Sequence, residues 1–408
     1  MSAAPRRLLR AGGVAALTVS LAACGAGDRD LLEKQTRSAR AATTTATTPR
    51  AEPLARLGSP EGELSIIAPA GYAEDGSVDE LVDWVTPFEK ETGCRVSVRT
   101  ATSPDHLLQM VEDHDYDVVA APGQVSRALM EAGKVQPVNT DLVPNYADVY
   151  ADLKSRPWNS FKAFDYGVPH GWGANVLMYR TDQVRPAPTS WAPVFAGESP
   201  YGGKITAYDS PLSIADAALY LMKTEPDLGI ESPYALDQEQ LTAATDLLKQ
   251  QNANIGDYWD DYLQQLESFK SGAVVVGTSW QSVVNLAKAE KAPLDAVLPA
   301  EGATGWSDTW MLSAEAKHRT CGYKWLDHVV SPEVNAVASE WLGQAPANPK
   351  ACRLTLDRSH CETYHAGDAK YFAQVWPWTT PMADCVDGRE TECTSWADWV
   401  RAWDEVMG

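Results

Sequence analysis

Leu64-Ser65-Ile66-Ile67-Ala68, Arg95-Val96-Ser97-Val98-Arg99 and Asp117-Val118-Val119-Ala120 are three short strand-like runs within sixty residues, and the segments between them carry helical spacing. The first run reads as a buried strand, and the second alternates. Val78 to Glu91 is read as an amphipathic helix ended by Gly93, and Pro104 to Glu112 as a second helix. Strand and helix in alternation place a largely parallel sheet here, with helices packed on it.

Downstream the alternation continues. An extended segment spans Val168 to Arg180, and helices are expected at Ser213 to Lys223, Gln238 to Gln250 and Tyr258 to Lys270. A strand at Ala273 to Gly277, a helix at Gln281 to Lys291 and a strand at Leu294 to Leu298 follow. Helices at Cys321 to Val330 and Glu333 to Leu342 complete an α/β body. The last residues, rich in cysteine and tryptophan, read as an irregular stapled cap closed by a helix from Ser395 to Met407, with Trp396, Trp399 and Trp403 as a core stripe.

Ahead of this body, Arg6, Arg7 and Arg10 precede an apolar run from Val14 to Leu21, and Leu21-Ala22-Ala23-Cys24 follows. That order reads as a lipoprotein signal in which Cys24 would be lipidated and become the mature N-terminus. The apolar run falls short of the ~20 residues that span a bilayer. Arg6-Arg7 also permits twin-arginine export. Residues 25–61, with Thr43-Thr44-Thr45-Ala46-Thr47-Thr48-Pro49, lack the apolar area to offset ordering and read as a flexible tether.

The formal charge of -21 and the shortage of Lys/Arg clusters argue against nucleic acid as a partner. Of 7 cysteines, those other than Cys24 form an even set in an exported chain, which favours disulfides over metal. The local pairs Cys352 with Cys361 and Cys385 with Cys393 leave Cys94 with Cys321. No CxxC spacing supports zinc, and no metal or cofactor is expected. Nucleophile-elbow, zincin and phosphate-loop motifs are missing, so an enzyme is not expected.

Several segments in order resemble the spermidine/putrescine-binding branch of the bacterial extracellular solute-binding proteins that serve ABC importers. They are Phe88-Glu89-Lys90-Glu91-Thr92-Gly93, Tyr116-Asp117-Val118-Val119, Met130 to Val135, Val168-Pro169-His170-Gly171-Trp172-Gly173-Ala174, Thr189-Ser190-Trp191 and Pro299-Ala300-Glu301-Gly302. The resemblance implies a two-lobed periplasmic-binding-protein-like fold of type II, with crossing hinge strands and ligand held between the lobes. Lobe one is then 62–173 plus 308–346, and lobe two is 174–307 plus 347–408 with the cap. Cys94 and Cys321 both fall in lobe one, which leaves closure unhindered.

The same resemblance implies the ligand set. Trp280 and Trp306 fall on stacking tryptophans, and Asp308 and Asp216 on carboxylates that meet ammonium groups. Tyr72 and Gln124 stand at lobe-one pocket positions, and Gln374, Trp376 and Trp378 lie where late pocket residues occur. Departures accompany these matches. Leu219 replaces a second acid, and Ala121-Pro122-Gly123-Gln124 replaces Ser and Tyr side chains. The expected function is capture of a small organic cation, polyamine-like or amino-acid-like, by a monomer that hands it to an ABC permease and ATPase complex while anchored to the membrane through lipid. A secreted lipoprotein hydrolase acting on cell-wall glycans, or a binding protein serving a membrane sensor, are the alternatives.

Overall fold

In the computed structural model, residues 52–408 are described. Cys24, the expected lipidation site, and most of the expected tether lie outside them. The first sheet has the strand order Arg95–Ala101, Glu63–Pro69, Val118–Ala121, Thr309–Ser313, Val135–Gln136, with Gly167–Pro169 also paired to Thr309–Ser313. Glu63–Pro69 runs parallel to both its neighbours, in register from Glu63 opposite Arg95 to Pro69 opposite Ala101. Thr309–Ser313 enters antiparallel, so the sheet is mixed at that side.

The connecting helices have sequence-encoded ends. Ser103 caps Pro104–Asp113 by accepting the His106 amide at 3.1 Å. Gly93, at φ 75°, ends Val85–Thr92 in the left-handed conformation that glycine adopts without strain.

The second sheet runs Ile255–Trp259, Ile205–Tyr208, Val276–Trp280, Gly171–Arg180, Ala303–Trp306, Val375–Pro377, with Leu294–Val297 and Ala345–Pro346 also paired to Gly171–Arg180. All ten residues of Gly171–Arg180 are buried, as a strand needs to be when both its faces are covered. The described residues thus form two lobes, and the chain passes between the sheets at Pro169 to Gly171, at Trp306 to Thr309 and between Ser313 and Ala345. Polar bonds tie these crossings together. The Ser307 hydroxyl donates to the Gly171 carbonyl at 3.0 Å, the Asn335 amide to the His170 carbonyl at 2.6 Å, and the Asn348 amide N–H to Asn335 Oδ1 at 2.9 Å.

Disulfides join Cys94 to Cys321, Cys352 to Cys361 and Cys385 to Cys393. The first fixes the Arg319–Val329 helix against the turn that follows Val85–Thr92. The other two staple the C-terminal region. The closing helix, Trp396–Met407, starts in a capping box between Ser395 and Asp398. Trp399 and Trp403 are buried in the second core and Trp396 packs at its edge.

Three local readings need correction. The helix expected from Val78 begins only at Val85, because Asp75 and Asp83 bridge a loop that leaves Val78 and Leu81 in solvent. The helix expected from Tyr258 begins at Tyr262, capped by Asp261, and Ile255–Trp259 is a strand beside Ile205–Tyr208. The strand expected at Ala273 to Gly277 is Val276–Trp280, which carries Trp280 to the strand's end.

Candidate functional site

The chain leaves the first strand at Pro69 and returns Tyr72 to the edge of the crossing segments. There its hydroxyl donates to Asp308 Oδ2. Asp308 is buried, and its Oδ1 has no hydrogen-bond partner among the described residues. Loss of water around the carboxylate pushes its pKa up to about 6, although the Tyr72 hydroxyl opposes the shift. Burial, and then the Asp308 charge, hold the Tyr72 phenol protonated far above its usual range.

His170 lies beside this pair. Its backbone N–H donates to the Asp308 carbonyl at 3.4 Å, and its ring meets Tyr72 edge-on at 4.9 Å and Trp310 at 5.9 Å. Neither ring nitrogen has a partner among the described residues. Burial lowers the imidazole pKa to about 3, so the ring is neutral and offers one donor and one acceptor.

On the side of the second sheet, strand ends deliver an aromatic wall. Trp280 and Trp306 have centroids 5.5 Å apart at 59°. Trp259 stands edge-on to Trp280 at 5.0 Å, and Tyr208 touches Trp259 at 4.8 Å. Trp378 stacks over Tyr208 at 6.1 Å and lies 6.0 Å from Trp306. Gly173 is required for this arrangement, since a Cβ there would sit 2.2 Å from the Trp306 ring. The Trp280 indole N–H donates to Asn175 Oδ1 at 3.1 Å, Asn175 Nδ2 donates to Thr304 Oγ1 at 2.6 Å, and the Thr304 hydroxyl donates to Asp216 Oδ1 at 2.5 Å. Asp216 is buried, and burial raises its pKa to about 7.

The two halves meet where Val118–Ala121 turns through Pro122 into the helix Gly123–Glu131. A Cβ at Gly123 would lie 2.0 Å from the Trp378 carbonyl oxygen, so only glycine permits this approach. The Thr380 hydroxyl donates to the Gln124 carbonyl at 2.7 Å.

Among the residues expected from sequence, Tyr72 and Asp308 are joined directly, and Trp280 and Trp306 are ring neighbours. Asp216 reaches Trp280 through Thr304 and Asn175 and makes no hydrogen bond with the Tyr72 and Asp308 pair. Gln124 lies at the junction with Thr380. Trp376 is half-buried against the second core, where its carbonyl accepts the Tyr234 hydroxyl at 2.7 Å, and Trp378 is the residue whose ring joins the wall. Sequence reasoning missed Tyr208, Trp259, Asn175 and His170 as members of the cluster. A signal existed for His170, which interrupts an apolar crossing strand.

The family model described as "Bacterial extracellular solute-binding protein" matches residues 83–354. The chain is a bacterial extracellular solute-binding protein. This solute-binding protein is 26% identical over 305 residues to the spermidine/putrescine-binding periplasmic protein of Escherichia coli (strain K12), covering 72% of this chain and 84% of that one. It is 26% identical over 296 residues to the putrescine/agmatine-binding protein of Pseudomonas aeruginosa, covering 67% of this chain and 78% of that one. Among solved structures, the spermidine/putrescine ABC transporter substrate-binding protein PotD from Streptococcus pneumoniae superposes with a TM-score of 0.66 at 15% identity, covering 85% of this chain and 97% of that one. Members of the family are binding proteins, not enzymes, which agrees with the absence of catalytic motifs from the solute-binding protein's sequence.

Proposed function

We propose that this solute-binding protein captures a small organic cation between its lobes and presents it to an ABC permease, anchored to the membrane through a lipidated Cys24. The observation that carries the proposal is Asp308. It is a buried carboxylate held by one hydroxyl, with its other oxygen unpartnered among the described residues, at a crossing between the lobes. A carboxylate so placed gains most from a cation, because a charge-assisted bond contributes about 1.5 to 3 kcal/mol. Trp280 and Trp306 are proposed as walls for the alkyl part, where an indole face over a desolvated cation contributes up to about 2 kcal/mol. Asp216 is assigned a supporting role, fixing the Trp280 ring through Thr304 and Asn175. Tyr72 orients Asp308.

The lobes are proposed to divide as 62–173 plus 308–346 and 174–307 plus 347–408, closing about the crossings as a population shift toward the filled state. The names of the relatives support amines as ligands. Leu219 and the Pro122-Gly123-Gln124 turn favour a cation other than a linear polyamine. A thermal-shift screen of putrescine, spermidine, betaine, choline and amino acids tests the proposal, since a bound solute raises the melting temperature by mass action. Stabilisation by an amine supports it. A response confined to sugars or phosphates refutes it.

A further inference from the structure

We propose that the solute carries a carboxylate as well as an ammonium group, and that its carboxylate end is received where the helix Gly123–Glu131 begins. This rests on the reading of Asp308 as the ammonium acceptor. Two segments face each other at that place. One is the start of the helix, whose first turn has no side-chain cap and no acidic residue. The other is Trp378-Thr379-Thr380, which touches Gly123 and bonds to Gln124.

Three buried side-chain atoms on these segments have no partner among the described residues: Gln124 Oε1, Trp378 Nε1 and Thr379 Oγ1. Their residues are 8%, 6% and 3% exposed. An indole N–H can only donate, and a protonated amine can only donate too. A linear polyamine therefore cannot satisfy Trp378, and the positive end of a helix repels an ammonium group. A carboxylate suits each of these groups, as an acceptor for the indole N–H, for the threonine hydroxyl or for the opening amides of the helix. The Gln124 amide can turn its NH2 toward the same group.

The charge count favours a single negative charge. Arg127, one turn further along the helix, is committed to Glu131 at 2.8 Å, so a doubly charged phosphate would lack a counterion. The distance to the ammonium end is short in the fold. Thr309 pairs with Ala121, which sets Asp308 beside Pro122 on the neighbouring strand, with His170 beyond it. Neutral His170, both of whose ring nitrogens lack a partner among the described residues, can bond either end of such a solute. The ligand class is thus a zwitterion of the amino-acid type.

Calorimetric titration of the full chain with 3-aminopropanoate, 4-aminobutanoate, 5-aminopentanoate and 6-aminohexanoate, each beside the diamine and the monoamine of equal carbon number, tests this. At least one amino acid is expected to bind tenfold or more tightly than both its amine counterparts. Thr379→Val, which removes the hydroxyl at nearly constant shape, is expected to weaken that amino acid at least fivefold and change the monoamine less than twofold. Trp378→Phe, which removes the N–H and also shrinks a ring of the aromatic wall, is expected to weaken the amino acid at least fivefold more than the monoamine. Diamines binding as tightly at every length, or amine and amino acid weakening equally in both variants, would overturn the carboxylate assignment and leave the cation reading standing. If neither amines nor amino acids bind, both fall.

Discussion

Asp308→Asn separates binding from folding at one atom. The Asp308 pKa rises from 3.8 to about 6 in the fold because burial strips water from the carboxylate. A raised folded pKa means that stability from this group is complete below about pH 3.8 and is lost as pH climbs through about 6. At about 1.4 kcal/mol per unit, the ionised acid costs the empty protein about 3 kcal/mol at pH 7.5. Asparagine removes that cost and still accepts the Tyr72 hydroxyl. Its NH2 replaces an oxygen that has no partner, and an unpartnered buried donor costs about 1 to 3 kcal/mol. The net expectation is a change between zero and about 2 kcal/mol in favour of the variant at pH 7.5. Binding of a cation moves the other way, falling by about 10- to 150-fold for the loss of 1.5 to 3 kcal/mol. Denaturant unfolding and calorimetry on the same preparations read both quantities. A variant that loses more than about 1 kcal/mol of stability and binds amines as well as the parent would refute the reasoning, placing Asp308 among structural rather than ligand-holding groups.

Other consequences follow from the same geometry. Because the cation selects ionised Asp308, affinity for an amine should be flat above about pH 6 and fall roughly tenfold per unit below it, and Asp308→Asn should abolish that slope in titrations from pH 4.5 to 8. Gly173→Ala places a methyl group 2.2 Å from the Trp306 ring, so it should displace the indole. Amine affinity should drop about tenfold or more while far-ultraviolet circular dichroism stays unchanged, which is the cost of an interaction worth about 1.4 kcal/mol. Removing the Cys94–Cys321 bridge by a double Cys→Ala change releases a loop with sequence separation 227. Chain entropy sets the loss at about 5 kcal/mol at most, measurable as a lowered urea midpoint, with amine affinity at neutral pH unchanged.

The alternation that specifies the first sheet was legible because Leu64, Ile66, Ile67 and Ala68, and Val118 to Ala120, are buried on both faces and form short apolar runs. Crossing strands were legible for the same reason in Val168 to Arg180, which is mostly apolar. Helix starts were harder. Val78 and Leu81 fit a helical face by spacing alone, yet a turn held by Asp75 and Asp83 takes them into solvent, and nothing in the spacing reports that tertiary bridge. Tyr258 and Trp259, the end of the strand Ile255–Trp259, merged with the helix after them because Asp260 and Asp261 are a weak boundary unless the capping role of Asp261 is recognised. In the site, Trp280, Trp306, Asp308 and Tyr72 were accessible through the order of neighbouring segments. Tyr208, Trp259 and Asn175 were not, since strand pairing across the second sheet brings them together from positions that share no local pattern. Asp216 illustrates the intermediate case: its carboxylate was visible, but its enclosure behind Thr304 depends on packing between its helix and a distant strand.

The central claim is that Asp308 holds a cation between the two lobes. A crystal structure of the full-length protein grown with whichever amine or amino acid binds most tightly tests it most directly. An ammonium nitrogen about 2.7 to 2.9 Å from Asp308 Oδ1, with the ligand's alkyl part against Trp280 and Trp306, is the predicted result. A solute bound outside the crossing segments, leaving Asp308 Oδ1 without a donor, would contradict the account.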